Sequence, residues 1–248
     1  AQVAPAMAPA YLAEIARGIG RLPDTELVTL VPNPRGFESF LQLGLGPGGF
    51  GHTVGLFHSA VEAHNRANFG REIAENQAWI RTIAEQARAR EVPRVGYVSA
   101  AFGFRPTPDG ELLDAPLSDV HRFIEIQRDL GTRTVTLSDL QGVRTPAETR
   151  DRLGELLHRL GDDARSWLGY HPHHADPDTG VALAEAAYDA GIRLFDGSLG
   201  ARGGCVTGAP GNAPTEGLLE MLHRKGARTR IDEAALAEAS RAFDAASG

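Results

Sequence analysis

Six short apolar runs, separated by stretches of helical character, constrain this chain more than any other feature. They are Leu27–Val31, His52–Phe57, Arg94–Ser99, Arg133–Leu137, Trp167–Tyr170 and Ile192–Phe195, with starts roughly 25 to 42 residues apart. Runs of this length read as buried strands, and the intervals leave room for one helix and two loops, the spacing of βα units. Helices are expected over Tyr11–Leu22, Phe37–Leu43, about Glu72–Arg90, Leu117–Leu130, Thr179–Ala190, Thr215–His223 and Asp232–Ala245. Another opens at Thr145-Pro146, where an N-cap hydroxyl precedes a proline in the first turn. In the first helix Leu12, Ile15 and Ile19 fall on one face.

No linker or composition shift divides the 248 residues, so one domain over residues 1–248 is expected. Polar residues gather at the C-terminal ends of the strands, which suggests a TIM (β/α)8 barrel with its chemistry on that rim. A closed barrel needs eight strands, so the six here correspond to strands three to eight, and the domain is expected to be incomplete at its N-terminus. Two open sheet edges would then make the chain pair, as a homodimer, or aggregate.

Composition removes several function classes. The apolar fraction of 42% supports a sizeable core, and no run approaches the roughly 18 apolar residues of a membrane span. Ala1–Ala10 lacks the basic region and compact apolar core of a secretory signal, and the chain begins with Ala. One cysteine excludes an internal disulfide, which fits a reducing compartment. A soluble, cytoplasmic protein without a membrane partner is therefore expected. A net charge of -7, with no Lys/Arg block, disfavours nucleic-acid binding but leaves room for a small anionic substrate.

The most informative stretch is Trp167–Asn212. The fifth apolar run ends in His171-Pro172-His173-His174. Side chains two apart on a strand share a face, so His171 and His173 can converge on one point. Two neutral imidazoles there make half of a divalent-metal site. The next run leads into a glycine-rich loop holding Cys205, the sole cysteine, and Asn212. Plainer readings exist. An H-x-H pair can be two polar residues at a strand end, Cys205 an ordinary small residue, Asn212 a turn former or helix cap, and Asp139 a cap. Glu62, Asn65 and Asn68 can simply order a loop and helix start, and His174 is expected to face the wall between strand and helix.

Ordered motifs add a family resemblance. They are Thr29-Leu30-Val31-Pro32-Asn33 with Gly36-Phe37-Glu38, Ser59 through Asn68, and Gly96-Tyr97-Val98-Ser99. Ser138-Asp139-Leu140-Gln141-Gly142-Val143, Phe195-Asp196-Gly197-Ser198 and Gly203-Gly204-Cys205 with Gly211-Asn212 complete the set. In this order the chain resembles the 3-hydroxy-3-methylglutaryl-CoA lyases of the metal-dependent aldolase-like barrel superfamily. The resemblance implies a divalent cation (Mg²⁺, Mn²⁺, Co²⁺ or Zn²⁺) on His171, His173 and Asn212. It implies Asp139 beside the substrate and Cys205 in proton transfer, with His171 as a further proton carrier. Asn33, Ser99 and Glu62 are the substrate-binding candidates. Arg35, Arg66, Arg105, Arg144 and Arg202 lie on loops, and one or two could contact CoA phosphates. The implied reaction cleaves a 3-hydroxyacyl-CoA to acetyl-CoA and a keto acid, acetoacetate for the methylglutaryl substrate.

The chain departs from the family pattern in three places. The opening strands' Arg-Asp pair and glutamate are absent, Cys205 to Asn212 is two residues shorter than the family loop, and His174 stands where the family has aspartate. Two rival readings follow: a hydroxy-oxo-acid aldolase of the same superfamily, and a catalytically inactive barrel serving as a scaffold.

Overall fold

The structure, a computed structural model, describes residues 9–22, 25–203 and 211–247. Six strands follow one another in one sheet in the order of the chain. The chain divides into two compact units, Ala1–Ala101 with Leu113–Thr136, and Phe102–Leu112 with Leu137–Gly248.

The first unit carries α1 (Pro9–Ile19), β1 (Val28–Leu30), α2 (Pro34–Gln42), β2 (Thr53–Ser59), α3 (Glu62–Phe69), α4 (Ile73–Arg88), β3 (Arg94–Ser99) and α5 (Leu117–Asp129). The strand β2 pairs in parallel with β1 through Val28↔Thr53 and with β3 through Leu56↔Gly96 and Ser59↔Ser99. Six of its seven residues are buried, as a parallel strand covered on both faces requires. Val54 and Leu56 join Val31, Phe37, Phe40, Ile80, Ile83 and Leu130 in a continuous core. Each such side chain contributes about 1.5–3 kcal/mol on burial. On the outer strand β1, Val28 and Leu30 stay exposed, Leu30 at 55%.

Several elements of this unit differ from the sequence expectation: α1 ends at Ile19, α2 starts at Pro34 and β2 runs on to Ser59. The first strand keeps only Val28–Leu30 of the five residues read, because Val31 already turns inward, buried, ahead of the Asn33 cap. The helix α3 carries no regular apolar stripe to announce it. It is closed by Gly70, whose left-handed φ of 65° lets its N–H reach the Arg66 carbonyl.

The second unit carries most of β4 (Val135–Asp139), then α6 (Pro146–Leu160), β5 (Leu168–Pro172), α7 (Pro177–Ala190), β6 (Leu194–Phe195), α8 (Thr215–Arg224) and α9 (Glu233–Ser247). The expected cap at Thr145 is present as a reciprocal box: Glu148 N donates to Thr145 Oγ1 and Thr145 N to Glu148 Oε2. The helix α7 starts two residues before Thr179, because Asp176 caps it by accepting from Thr179 N and Pro177 fills the first turn. The fourth strand runs two residues past the expected Leu137, so that Ser138 and Asp139 lie inside it, both buried. Among the described residues no helix is long and apolar enough to cross a membrane.

The first unit also buries three histidines. His58 is fully enclosed, with Nδ1 3.1 Å from Gln127 Nε2, and His64 Nδ1 lies 3.0 Å from Ser59 Oγ. Desolvation pulls both imidazoles down from 6.5 to about 4. In the unfolded chain they take up protons near pH 6.5, whereas the folded chain resists until about pH 4. The unfolded state therefore binds more protons across that window, and stability falls as pH falls, by up to about 3 kcal/mol per histidine. The buried carboxyl of Asp139, raised from 3.8 to about 6, opposes this below pH 6 but offsets only one of the two. The urea midpoint should drop steadily from pH 6.5 to 4.5, and His58→Gln with His64→Gln should flatten the profile. A wild-type midpoint constant over that range would refute the assignment.

Candidate metal centre

The centre forms where the ladder of β5 runs past its last residue. His173 N donates to the Asp139 carbonyl at 2.9 Å, extending the contact with β4. On its other side, Ala213 N donates to Pro172 O at 3.1 Å and His174 N to Gly211 O at 3.0 Å. These bonds make His173 and Asn212 an antiparallel bridge pair, which draws the residue after the glycine loop against the histidine strand.

The expected convergence of the histidines is present. Their Nε2 atoms are 2.8 Å apart and the ring centroids 4.6 Å apart in an edge arrangement. Two nitrogens bound at right angles to one divalent cation would lie about 3 Å apart, so the pair is set as neighbouring ligands. Asn212 Nδ2 donates to the Arg202 carbonyl at 2.8 Å, which orients the carboxamide, and among the described residues its buried Oδ1 has no hydrogen-bond partner. A buried carbonyl oxygen left without a donor is costly unless it meets a cation or water. Two imidazoles and an amide oxygen are donor types that a divalent cation accepts. Among the described residues no group of three or more His, Cys, Asp or Glu is placed to hold a metal.

Asp139 is fully buried. Its Oδ1 accepts from Gly142 N at 2.9 Å and Val143 N at 3.4 Å, and its Oδ2 lies 3.5 Å from the Tyr170 hydroxyl. Burial outweighs these donors and lifts the carboxyl to about 6. The Tyr170 phenol is raised well above 10, chiefly by burial and then by the Asp139 charge. The role of Tyr170 has no sequence signal beyond its place between β5 glycine and histidine.

The turn that Asp139 holds requires its glycine. Gly142 has φ +59°, and a Cβ there would stand 2.5 Å from His174 Cδ2 and 2.7 Å from His173 O. His174, half-buried, turns away from the paired imidazoles: its Nδ1 accepts from Asp176 N at 2.9 Å and so fixes the approach to α7.

Sequence reasoning passed over Asp196. Its N donates to Tyr170 O at 3.2 Å, which sets it beside β5, and its Oδ2 lies 3.3 Å from His171 Nδ1. The signal available was its position one residue past the sixth apolar run, at a strand's polar exit.

Of the other catalytic and substrate-binding candidates, three belong to the first unit and one lies outside the described residues. Asn33 caps α2, its Oδ1 accepting from Gly36 N at 2.8 Å. Glu62 pairs with Arg66 at 3.3 Å and accepts from Ile73 N, tying α3 to α4. Ser99 is buried, and its carbonyl accepts from Ala60 N at 2.8 Å. Cys205 lies outside the described residues.

Comparison with known proteins bears on what such a centre does. A family model described as HMGL-like matches residues 51–242. The chain is similar to a hydroxymethylglutaryl-CoA lyase of Bacillus subtilis, 31% identical over 88% of this chain and 69% of that one. It is similar to the crystal structure of the Pseudomonas aeruginosa lyase (TM-score 0.82, 29% identity, 95% of this chain and 74% of that one). An HMG-CoA lyase from Acinetobacter baumannii, solved with coenzyme A and 3-methylmalate, superposes with TM-score 0.79 at 30% identity, over 94% and 72% of the two chains. All three bear the lyase name, which lends nothing to the aldolase or scaffold readings.

Gly142→Ala should destabilise the chain by roughly 2–4 kcal/mol, through left-handed strain plus the displaced His173–His174 backbone. A thermal midpoint equal to wild type would contradict the packing described for this turn.

Proposed function

Since the chain belongs to the HMGL-like family and is an HMG-CoA lyase-like enzyme, we propose that it is a divalent-metal-dependent carbon–carbon lyase. Its substrate in this reading is a 3-hydroxyacyl-CoA such as 3-hydroxy-3-methylglutaryl-CoA, cleaved to acetyl-CoA and acetoacetate. The observation that carries the reading is the pair of Nε2 atoms 2.8 Å apart, with Asn212 bridged to His173 and its Oδ1 without a partner among the described residues. The ligand class is supported by the coenzyme A and hydroxy diacid bound to the Acinetobacter protein.

His171 and His173 would hold the cation through Nε2, and Asn212 through Oδ1. When bound, the cation supplies Lewis acidity that eases loss of the proton from the substrate's tertiary hydroxyl. As that oxygen becomes a carbonyl the adjacent carbon–carbon bond breaks, and its electron pair forms the acetyl-CoA enolate, which must then gain a proton. Cys205 is our candidate for that donor, with His171 as the proton carrier nearest the cation. Asp139, with a carboxyl lifted to about 6, suits proton exchange near neutrality at the same centre. Asn33, Ser99 and Glu62 are proposed to bind the acyl-CoA.

For the fold, we read the strands as three to eight of a TIM (β/α)8 barrel over a single catalytic domain, with the first two strands outside this sequence. Exposed apolar residues on both outer strands, Val28 and Leu30 on β1 and Leu194 on β6, support edges that await partners. A cytoplasmic enzyme that pairs as a homodimer completes the proposal.

The test is release of acetoacetate and acetyl-CoA from 3-hydroxy-3-methylglutaryl-CoA with Mg²⁺, Mn²⁺, Co²⁺ or Zn²⁺ added in turn. The pair His171→Ala/His173→Ala should lose bound metal and at least about 10³-fold in turnover, the worth of several kcal/mol of charge stabilisation. Cys205→Ser should keep the metal while turnover falls. Wild-type protein that binds none of these cations and cleaves no 3-hydroxyacyl-CoA would refute the proposal.

A further inference from the structure

We infer that Asp196 is a positioning residue: its carboxylate fixes the His171 ring so that Nε2, not Nδ1, faces the cation. The inference rests on the metal reading above for its consequence, but its geometric basis is independent of it.

The register of β5 and β6 creates the contact. Gly169 pairs with Leu194 and Tyr170 with Phe195, and the bond from Asp196 N to Tyr170 O carries the ladder one residue further, opposite His171. Asp196 Oδ2 consequently sits 3.3 Å from His171 Nδ1. That nitrogen is buried, and among the described residues it has no aligned hydrogen-bond partner; the carboxylate stands within ion-pair distance but off the hydrogen-bond direction. A small rotation of the half-exposed carboxylate closes the bond, and the alternative is an orphaned buried nitrogen.

The other side of the ring gives the same assignment. The two Nε2 atoms, 2.8 Å apart, have room for one proton between them. An ionised carboxylate only accepts, so His171 must present Nδ1–H to Asp196. Its Nε2 then holds a lone pair, and in the cation-free protein the shared proton belongs to His173, which would release it to solvent on binding a cation. A ligating imidazole needs that lone pair aimed at the cation, with the opposite N–H held by an acceptor. Asp196 is in the place of that acceptor. Because Nδ1 and Nε2 occupy different edges of the ring, the carboxylate orients the ligand without standing on the same cation.

Long-range ¹H–¹⁵N spectra of the histidine side chains, recorded with and without Asp196→Ala, test this directly. The wild type should show His171 protonated on Nδ1, and Asp196→Ala should move it toward the Nε2–H form. Titration calorimetry with Mn²⁺ or Zn²⁺ should show a 10–100-fold loss of affinity in Asp196→Ala, with circular dichroism unchanged. Asp196→Asn, whose carboxamide oxygen still accepts from Nδ1–H, should keep the tautomer and lose less. A variant Asp196→Ala that retains Nδ1–H, or that binds either cation as tightly as wild type while His171→Ala does not, overturns the inference. Wild-type protein that binds no cation overturns the metal reading instead, and the tautomer spectra then decide the role of Asp196 alone.

Discussion

The centre depends on backbone pairing that continues past the end of a strand. The strand β5 stops at Pro172, yet His173 N still donates to Asp139 O, and Pro172 O and His174 N are taken up by Ala213 and Gly211. A carbonyl at the buried end of a strand needs a donor. Ala213 provides one to Pro172, and in doing so brings Asn212 opposite His173. The alternation of side chains along a strand places His171 and His173 on one face; the bonds beyond the strand fix Asn212 against its end.

Polar groups around this frame are buried at a cost that their partners only partly offset. Asp139 has backbone donors on one oxygen and a long contact to Tyr170 on the other, and its carboxyl still rises to about 6. The first unit shows a different case. His58 and His64 are buried neutral, which makes them acid-sensitive parts of the core.

The strands and the paired histidines were legible because both rest on local periodicity. Apolar runs at βα spacing gave the strand order, and a two-residue repeat gave the shared face of His171 and His173. The fourth strand was read short because Ser138 and Asp139 look like a strand's polar exit, whereas backbone donors from the Gly142 turn let Asp139 stay buried. The helix α3 has no apolar stripe, and its end depends on the left-handed Gly70. Asp196 was missed for another reason: its nearness to His171 depends on which residues of β5 and β6 pair, and register is a property of two strands together. Asn212 was visible as a residue type, but the orientation of its carboxamide follows from a bond to the Arg202 carbonyl that local sequence does not reveal.

The central claim is that His171 and His173 offer their Nε2 atoms to one cation. Electron spin-echo modulation of the protein loaded with one equivalent of Mn²⁺ tests it most directly. Couplings to ¹⁴N from two imidazoles are expected, reduced to one in His171→Ala. Bound Mn²⁺ without imidazole coupling, or a spectrum that His171→Ala leaves unchanged, would contradict it.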